Sequence, residues 1–271
     1  HEHSYPVCWR CKSEIVFRLV PAWYIKTSEI KPKLIECANS VKWEPASNGK
    51  RMNDWLTNMG DWNISRKRYY GMPLPFYPCS CGHITVIGSK DELREKAVDP
   101  AQVDALPELH RPWVDEVKIK CPHCGKEVSR ISDIGDVWLD AGIVPFSTLG
   151  YFTDREAWEK NFPAEWVTEM HEQVRLWFYS MLFMSTVLVG RAPYERVVTN
   201  GMVVAEDGSK FSKTGFMIKF DEAAEKIGAD TVRYLYASAP TNNDVRFGYN
   251  LGDEARRKML GFWNIYTFFD T

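Results

Sequence analysis

The residues whose types and spacing most clearly suggest chemistry are cysteines in two short loops. Cys79 and Cys81 stand in C-S-C-G, and Cys121 and Cys124 stand in C-P-H-C-G. Each loop offers two sulfurs on a tight turn, and two such loops can close a tetrahedron around Zn²⁺. The sequence therefore predicts one structural zinc site with these four ligands. The alternative is a set of reduced thiols that holds no metal.

A third pair, Cys8 and Cys11 in C-W-R-C, has the spacing of half of another zinc site. The sequence contains no fourth pair, so the remaining ligands would come from outside it unless His1 or His3 serves. The 7 cysteines are an odd number and mostly stand in close pairs. This usage is typical of a reducing compartment rather than of disulfide-bonded secreted proteins. We therefore expect a cytoplasmic protein.

Two lysines three residues apart are the second candidate for chemistry. Lys210, Ser212 and Lys213 lie in the stretch G-S-K-F-S-K-T-G, which a glycine bounds on each side. A loop with two cations can close on a triphosphate and stabilise charge that develops only in the transition state. Without further context such a loop is more often a solvated surface turn, and that interpretation remains an alternative.

Composition excludes several classes of protein. The chain has 271 residues, a formal net charge of -2 and 45% hydrophobic residues, which allows a sizeable core and excludes a bulk polycation. Its 11 Trp, 14 Phe and 12 Tyr exclude intrinsic disorder. The longest apolar stretch, residues 176–189, is shorter than the roughly 20 residues that span a bilayer, so we expect no membrane partner. The first residues are typical of the interior of a longer chain, and we expect a fragment.

The cysteine loops need elements that hold them together. Strands near residues 85–88 and 116–120 and a helix over residues 90–98 are predicted around them. Nearer the start of the chain, the pattern predicts a short helix over residues 30–40 and a turn at Asn48-Gly49.

After residue 131, predicted strands alternate with predicted helices, which is typical of an α/β fold. A buried strand end at 137–139 precedes a long apolar helix over 169–189, and a strand over 197–204 leads to the lysine loop. A helix over 221–227 with Asp221 as its N-cap and a long helix over 253–269 follow.

Several motifs together resemble one family. Residues 210–214, K-F-S-K-T, are similar to the lysine signature of class I aminoacyl-tRNA synthetases, and residues 62–75, W-N-I-S-R-K-R-Y-Y-G-M-P-L-P, are similar to a stretch of isoleucyl-tRNA synthetases. Further segments that resemble the same subgroup are residues 4–11, 109–115, 136–142, 169–178 and 253–269. The resemblance covers essentially the whole chain.

The resemblance implies an α/β fold that is the C-terminal half of a Rossmann-type class I synthetase catalytic domain. It adds an inserted zinc-binding module and the start of an all-α anticodon-binding bundle. The implied parts are residues 1–78, which leave the editing insertion and re-enter the catalytic core; 79–130, the zinc-binding connective module; 131–220, the second half of the Rossmann-type domain with the lysine loop; 221–250, a helical junction; and 251–271, the truncated first helix of the anticodon-binding domain.

The resemblance also implies isoleucine-tRNA ligase activity, in which L-isoleucine is activated with ATP and Mg²⁺ and transferred to tRNA(Ile). The full-length enzyme would be a monomer. An H-x-G-H-type sequence, which binds the triphosphate in the family, does not occur here, so we expect this chain alone to be inactive. The alternatives are a valyl- or leucyl-tRNA synthetase and a non-catalytic zinc-containing RNA-binding module that would use Arg66, Lys67 and Arg68.

Roles for individual residues follow from the same resemblance. Trp138 and Trp177 would wall the pocket for the aliphatic side chain. Lys210 and Lys213 would bind phosphates around Ser212, with Lys213 carrying most of the transition-state charge.

The remaining implied substrate contacts lie at the start of the 169–189 helix and at strand ends. They are Glu169, Glu172, Gln173, Asp140, Asn200 and Gly201. Asn200 stands where the family usually has a histidine, and an amide can hydrogen-bond but cannot act as a cation. Taken without the family, Trp138 would be a core residue and the helix start a solvated or capping cluster.

Overall fold

The computed structural model describes residues 3–8, 10–212 and 215–271. The chain divides into two compact units, of which the first comprises residues 1–28 and 60–140 and the second comprises residues 29–59 and 141–271. The short helix Val137–Gly142 lies where the chain passes from the first unit into the second. Within the described residues, none of the helices combines the length and the apolar character that crossing a membrane requires.

The first unit is built from short antiparallel strand pairs. These pairs are Tyr24–Ile25 with Trp62–Asn63, Ser65–Arg66 with Ile134–Gly135, Phe76–Pro78 with Ile84–Val86, and Lys118–Lys120 with Glu127–Ser129. Its helical turns are Lys90–Lys96, Pro100–Asp104 and the 3₁₀ helix Trp113–Glu116.

A small hydrophobic core holds the cysteine-bearing part of this unit together. Tyr77, Val103 and Ile119 are almost completely buried in it. The sequence specifies where the helices begin, because the Ser89 hydroxyl accepts from the N–H of Glu92 and the Asp99 carboxylate accepts from the N–H of Ala101.

The second unit contains a three-stranded parallel sheet. Strand Arg196–Asn200 lies in the centre, between Val167–Met170 on one side and Lys42–Glu44 on the other. Val197 and Trp43 are buried in neighbouring strands, as parallel strands covered by helices require. The helices of this part are Lys31–Asn39, Ser47–Asn58 and Trp177–Val189.

A second parallel pair follows the sheet along the chain. Val203–Ala205 pairs with Val245–Phe247, and the helices Phe220–Ile227 and Ala229–Ala237 lie between them in sequence. Ala223, Ile227, Val232 and Phe247 form the buried core there. The chain then enters the 22-residue helix Tyr249–Asp270.

Two further helices of the second unit, Val144–Ser147 and Arg155–Asn161, enclose an aromatic cluster. Phe146, Trp158 and Phe162 are buried there, and the rings of Trp158 and Phe162 stack with centroids 4.3 Å apart.

One predicted element around the site is wrong in type, and another is wrong over its first eight residues. The predicted strand end at 137–139 is a helix, Val137–Gly142, and the strand is the preceding pair Ile134–Gly135. The predicted helix over 169–189 begins only at Trp177, after strand Val167–Met170 and the 3₁₀ helix His171–Arg175. A short apolar run does not distinguish a strand from a helix, so periodicity could not decide either case.

Three smaller predictions are also corrected. Asn48 and Gly49 lie inside helix Ser47–Asn58 rather than in a turn. The strand predicted over 197–204 is two strands, interrupted at residues 201–202. The helix after the lysine loop has Lys219 as its N-cap, so Asp221 lies within its first turn.

Candidate functional site

The carboxyl ends of two parallel strands bring several predicted substrate residues together. Glu169 lies opposite Thr199, and Met170 lies opposite Asn200, in the register of the sheet. Glu169, Asn200 and Gly201 therefore share one edge. In open parallel sheets this carboxyl edge is where ligands bind.

The segment that follows Glu169 is shaped by its own side-chain hydrogen bonds. The Glu169 carboxylate accepts from the N–H of Met170 at 2.9 Å. Glu172 is exposed on the 3₁₀ helix His171–Arg175. The amide oxygen of Gln173 accepts from the N–H of Trp177 at 3.1 Å, which satisfies a free donor at the start of the long apolar helix. The sequence-based alternative of a capping cluster is therefore correct for Gln173, whose amide NH₂ remains available for a ligand.

Trp177 is held from both ends. Its backbone N–H is bound by Gln173, and its indole N–H donates to the carbonyl of Ala141 at 3.1 Å. Next to Ala141, a Cβ on Gly142 would lie 2.8 Å from the Ser180 carbonyl, so glycine permits this close approach. The result is a half-buried aromatic wall with little freedom to rotate.

Trp138 and Asp140 belong to the first unit. The Trp138 backbone N–H donates to the Asp136 carboxylate at 3.0 Å, and the ring is half-buried. Asp136 is also ion-paired with Arg66 and receives the Trp62 indole N–H at 3.4 Å. Asp140 is exposed at the surface of the unit.

The basic stretch at residues 66–68 is mostly occupied by internal carboxylates. Arg66 pairs with Asp136, and the Lys67 ammonium lies 2.7 Å from the Asp133 carboxylate. Both aspartates are nearly buried, so these pairs tie residues 66–67 to the strand Ile134–Gly135. Arg66 and Lys67 are thus engaged within the fold, which weakens the RNA-binding alternative that relied on them.

Asn200 and Gly201 form a tight junction at the sheet edge. The Asn200 amide donates to the carbonyl of Gly201 at 2.9 Å, and the Gly201 N–H donates to the carbonyl of Thr241 at 3.1 Å. A Cβ at position 201 would lie 2.1 Å from the carbonyl oxygen of Asn243, so only glycine fits. Asp244, which sequence reasoning missed, accepts the Met202 N–H at 2.8 Å and fixes the same junction.

The lysine loop begins as a tight hairpin. The Ala205 N–H donates to the carbonyl of Ser209 at 2.8 Å, and Gly208 turns the chain with a φ of 88°. The Asp207 carboxylate accepts both the N–H and the hydroxyl of Ser209, at 2.8 and 2.7 Å. Lys210 follows directly, bridged to Val204.

The described residues of this loop that are predicted to bind phosphate lie at the surface. Lys210 and Ser212 are both exposed, and among the described residues no carboxylate lies within salt-bridge distance of the Lys210 ammonium. The Ser212 carbonyl accepts from the N–H of Gly215 at 3.2 Å, and the Ser212 N–H donates to the carbonyl of Phe216 at 3.3 Å. Lys213 lies outside the described residues.

The four predicted zinc ligands converge. The Sγ atoms of Cys79 and Cys124 are 3.4 Å apart, those of Cys81 and Cys121 are 3.8 Å apart, and all four lie within 4.8 Å of one another. Four sulfurs at about 2.3 Å from a tetrahedral Zn²⁺ would be about 3.8 Å apart. The sulfur positions therefore fit a zinc ion.

Each cysteine loop closes with a backbone hydrogen bond from the glycine that follows its second cysteine, although one loop is a residue longer than the other. The N–H of Gly82 donates to the carbonyl of Cys79, and the N–H of Gly125 donates to the carbonyl of Cys121. Both glycines have positive φ, 89° and 73°, which a residue with a side chain rarely adopts. A backbone N–H from Cys81 lowers the pKa of Cys79 to about 6. At Cys124, by contrast, a backbone N–H from Lys126 is outweighed by hydrogen bonds to the neighbouring thiols, which raise the pKa to about 12. A metal ion binds the thiolate form, so binding would release the protons that the cluster holds.

Among the described residues, the four-cysteine cluster is the one group of His, Cys, Asp and Glu side chains that could hold a metal ion. The predicted half-site at Cys8 and Cys11 therefore gains no further ligand from them. Cys11 instead contacts the Ser13 hydroxyl at 3.0 Å, and this contact lowers the pKa of Cys11 to about 7. His3 stacks edge-on against Tyr5, and His1 lies outside the described residues.

Comparison with curated proteins finds relatives that carry the same name. The chain is 39% identical to the isoleucine--tRNA ligase of Methanopyrus kandleri, with 98% of this chain and 26% of that protein covered. It is 41% identical to the isoleucine--tRNA ligase of Methanoculleus marisnigri, with 98% and 25% covered. The chain thus spans about a quarter of the length of the curated relatives it matches.

Comparison with solved structures concerns the fold. Mycobacterium tuberculosis methionyl-tRNA synthetase bound by methionyl-adenylate matches with a TM-score of 0.60 at 15% identity, over 95% of this chain and 40% of that one. The LeuRS of Agrobacterium radiobacter K84, in a ternary complex with tRNA and LeuAMS, matches with a TM-score of 0.57 at 23% identity, over 77% and 28%. The expected α/β, Rossmann-like synthetase fold is confirmed.

The family profile described as tRNA synthetases class I (I, L, M and V) matches residues 9–248. This match includes both cysteine loops, the carboxyl edge of the parallel sheet and the lysine loop. The chain belongs to the class I tRNA synthetases of the isoleucyl, leucyl, methionyl and valyl group.

Proposed function

We propose that this chain is part of the catalytic region of an isoleucine--tRNA ligase. The observation that carries the proposal is 37–41% identity to isoleucine--tRNA ligases over at least 98% of this chain. In the proposed reaction, a carboxylate oxygen of L-isoleucine would attack the α-phosphorus of ATP, and pyrophosphate would leave. Mg²⁺, bound with ATP, would neutralise phosphate charge. A hydroxyl of the terminal adenosine of tRNA(Ile) would then attack the acyl carbon of the adenylate, so that the isoleucyl ester forms and AMP leaves.

The lysine loop would serve the activation step. Lys210 and Lys213 would hold the β- and γ-phosphates and stabilise the negative charge that builds up as pyrophosphate leaves. The exposed Lys210, with no acidic partner among the described residues, supports this role because its charge is available to a ligand. Ser212 would contribute its hydroxyl, and the hairpin held by Asp207 would fix the base of the loop.

The carboxyl edge of the sheet would bind the adenylate. Glu169 and the free NH₂ of Gln173 would contact it from one strand, and Asn200 and Gly201 would do so from the next. Glu172 would approach the ribose. The parallel register that places Glu169 beside Thr199 supports this grouping.

The amino-acid pocket would use rigid aromatic walls. Trp177 is fixed by hydrogen bonds at its backbone and its indole, and Trp138 is fixed at its backbone. By the resemblance, each tryptophan would contribute an apolar wall that selects a branched aliphatic side chain by shape, and Asp140 would contact the substrate. One methylene between isoleucine and valine is worth about 1–3 kcal/mol in such a pocket, so pocket shape alone discriminates modestly.

Zn²⁺ would be held by Cys79, Cys81, Cys121 and Cys124. Its part would be structural, because four thiolates leave no open position for a substrate. The ion would join the loop before strand Ile84–Val86 to the loop before strand Glu127–Ser129.

The parts of the protein would follow the bounds that the resemblance implies. Residues 79–130 would be the zinc-binding module, 131–220 the second half of the catalytic domain, 221–250 a helical junction and 251–271 the start of the anticodon-binding bundle. Residues 1–78 would lead from an editing insertion into the core. The full-length enzyme would act as a cytoplasmic monomer.

The test is amino-acid-dependent ATP–pyrophosphate exchange with isoleucine, valine and leucine. It compares this chain with a longer protein that includes the preceding half of the catalytic domain. Exchange with isoleucine in the longer protein alone is the expected result. Exchange that prefers valine or leucine would assign a different member of the group, and no exchange with any of the three would contradict the proposal.

A further inference from the structure

The turn that leads into the lysine loop is bound to the start of the long C-terminal helix. One carboxylate oxygen of Glu206 accepts from the N–H of Leu251 at 3.1 Å, and the other accepts from the side-chain amide of Asn250 at 2.9 Å. Both donors lie in the first turn of helix Tyr249–Asp270. Glu206 is thus a side-chain cap supplied from outside the helix.

The backbone supports the same contact. The carbonyl of Glu206 accepts from the Arg246 guanidinium at 3.2 Å. A Cβ at position 248 would lie 2.3 Å from Cγ of Glu206, so glycine there leaves the space that the carboxylate occupies. The residues that precede Glu206 and Gly248 in the chain, Val203–Ala205 and Val245–Phe247, pair as parallel strands. The two segments are therefore joined along their backbones as well.

Glu206 itself lies in the short hairpin at residues 205–209, which leads into the lysine loop. Ala205 and Ser209 are hydrogen-bonded across it, and Asp207 binds Ser209, so little freedom remains between Glu206 and Lys210. A displacement of the helix start would therefore displace Lys210.

We infer that Glu206 is a positioning residue that joins the lysine loop to helix Tyr249–Asp270, so that the loop and the helix move together. The inference rests on the proposed function for its catalytic consequence. The helix of 22 residues is about 33 Å long at about 1.5 Å per residue, so events at its far end can reach the phosphate-binding cation.

The experiment uses the full-length protein and three variants. Glu206→Ala removes both hydrogen bonds, whereas Glu206→Gln keeps an acceptor for Leu251 and allows the Asn250 amide to reorient. Glu254→Ala, an exposed change one turn further along the same helix, is the matched control. Hydrogen exchange of the Leu251, Ala205 and Ser209 amides is measured beside the kinetics of ATP–pyrophosphate exchange.

We expect Glu206→Ala to speed amide exchange at Leu251 and also in the 205–209 hairpin. It should lower kcat about 10- to 100-fold with the KM for isoleucine nearly unchanged, because the loop acts on charge that exists only in the transition state. Glu206→Gln should restore most of both readouts, and Glu254→Ala should alter neither.

Faster exchange at Leu251 alone, with the hairpin amides and kcat unchanged, would overturn the inference, because Glu206 would then be only a helix cap. The inference would also be overturned if Glu254→Ala lowered kcat as much as Glu206→Ala does. If the unsubstituted protein shows no pyrophosphate exchange, the proposed function fails, and the amide exchange of the hairpin still decides the mechanical link.

Discussion

At the scale of residues, several side chains of the candidate site are already bound to the backbone. Gln173 uses its oxygen to cap a helix, Asn200 uses its NH₂ on Gly201, and Glu169 binds the next N–H. These hydrogen bonds restrict the orientations of the three side chains, and the proposed ligand contacts would use their remaining polar groups. Prior fixing of this kind lowers the entropy cost of binding.

Substitution of Lys213 distinguishes the proposed catalytic function from the RNA-binding alternative. We expect Lys213→Ala to lower the rate of adenylate formation about 10²- to 10³-fold, since one preorganised charge contact in the transition state is removed. Binding of tRNA should change little. Lys258→Ala, an exposed lysine in helix Tyr249–Asp270, is the charge-matched control. Uniform weakening of RNA binding with unchanged adenylate formation would instead support an RNA-binding module.

Asp115 contributes to the response of the first unit to acid. Burial raises its pKa, but hydrogen bonds from Arg130 and Arg111 outweigh burial, and the net pKa is lowered. A carboxyl whose pKa is lower in the folded state stabilises the fold above its unfolded pKa of about 3.9, and that contribution is lost as pH falls through the folded pKa. Stability should therefore drop in strong acid.

Asp115→Asn tests this assignment. The Arg130 side chain is only 1% exposed, so removing its charged partner should destabilise the fold at pH 7 by about 3 kcal/mol. The variant should also lose less stability between pH 5 and pH 3 than the unsubstituted protein. Urea unfolding at several pH values measures both effects, and parallel acid profiles for the two proteins would refute the assignment.

At the scale of elements, two similar cysteine loops form the candidate metal centre. The spacing of C-S-C-G and C-P-H-C-G was sufficient to predict which four sulfurs converge, because a pair on a tight loop cannot separate. Pairing between the loops depends on the core around Tyr77 and Ile119, which brings two distant hairpins together.

Zinc content tests the centre directly. The purified protein should carry about one zinc ion per chain, and Cys121→Ser should remove it and lower the stability of the 79–130 segment, because a structural metal contributes its binding energy to folding. Cys37→Ser, which changes the isolated cysteine, should leave zinc content unchanged. A metal-free but fully stable protein would exclude a structural zinc site.

The elements around the candidate active site were harder to predict. Helix Ser47–Asn58 continues through Asn48-Gly49, because the Asn48 amide is buried and donates to Thr199 at 2.6 Å in a neighbouring strand. That partner lies 151 residues away and gives no local signal. In the same way, Glu169 belongs to a strand because its segment pairs with Arg196–Asn200, although its apolar neighbours favour a helix.

At the scale of the whole molecule, the chain carries a long helix whose apolar residues face solvent. Phe262, Ile265, Phe268 and Phe269 are each more than 70% exposed. Large apolar patches of this kind promote association in water. They also show a limit of sequence analysis, because residue types that are typical of a core are exposed on this helix.

We expect the 271-residue chain by itself to self-associate, as measured by sedimentation velocity over a range of concentrations. Replacing Phe262, Phe268 and Phe269 with lysine should shift it towards a monomer. Glu254→Lys with Asn264→Lys, which adds charge on the same helix without removing apolar surface, should have a much smaller effect. A monomeric unsubstituted chain at high concentration would contradict the prediction.

The parallel pairing of Val203–Ala205 with Val245–Phe247 also constrains the order of folding. It encloses residues 206–244, with the lysine loop and two helices inside, and closing a segment of that length costs about 3 kcal/mol of chain entropy. The hydrogen bonds between two three-residue strands do not offset that entropy cost. The enclosed helices must therefore pack around Ile227 and Phe247 first. The hairpin at residues 205–209, which leads into the lysine loop, should therefore be fixed late in folding, only after Phe247 has been synthesised.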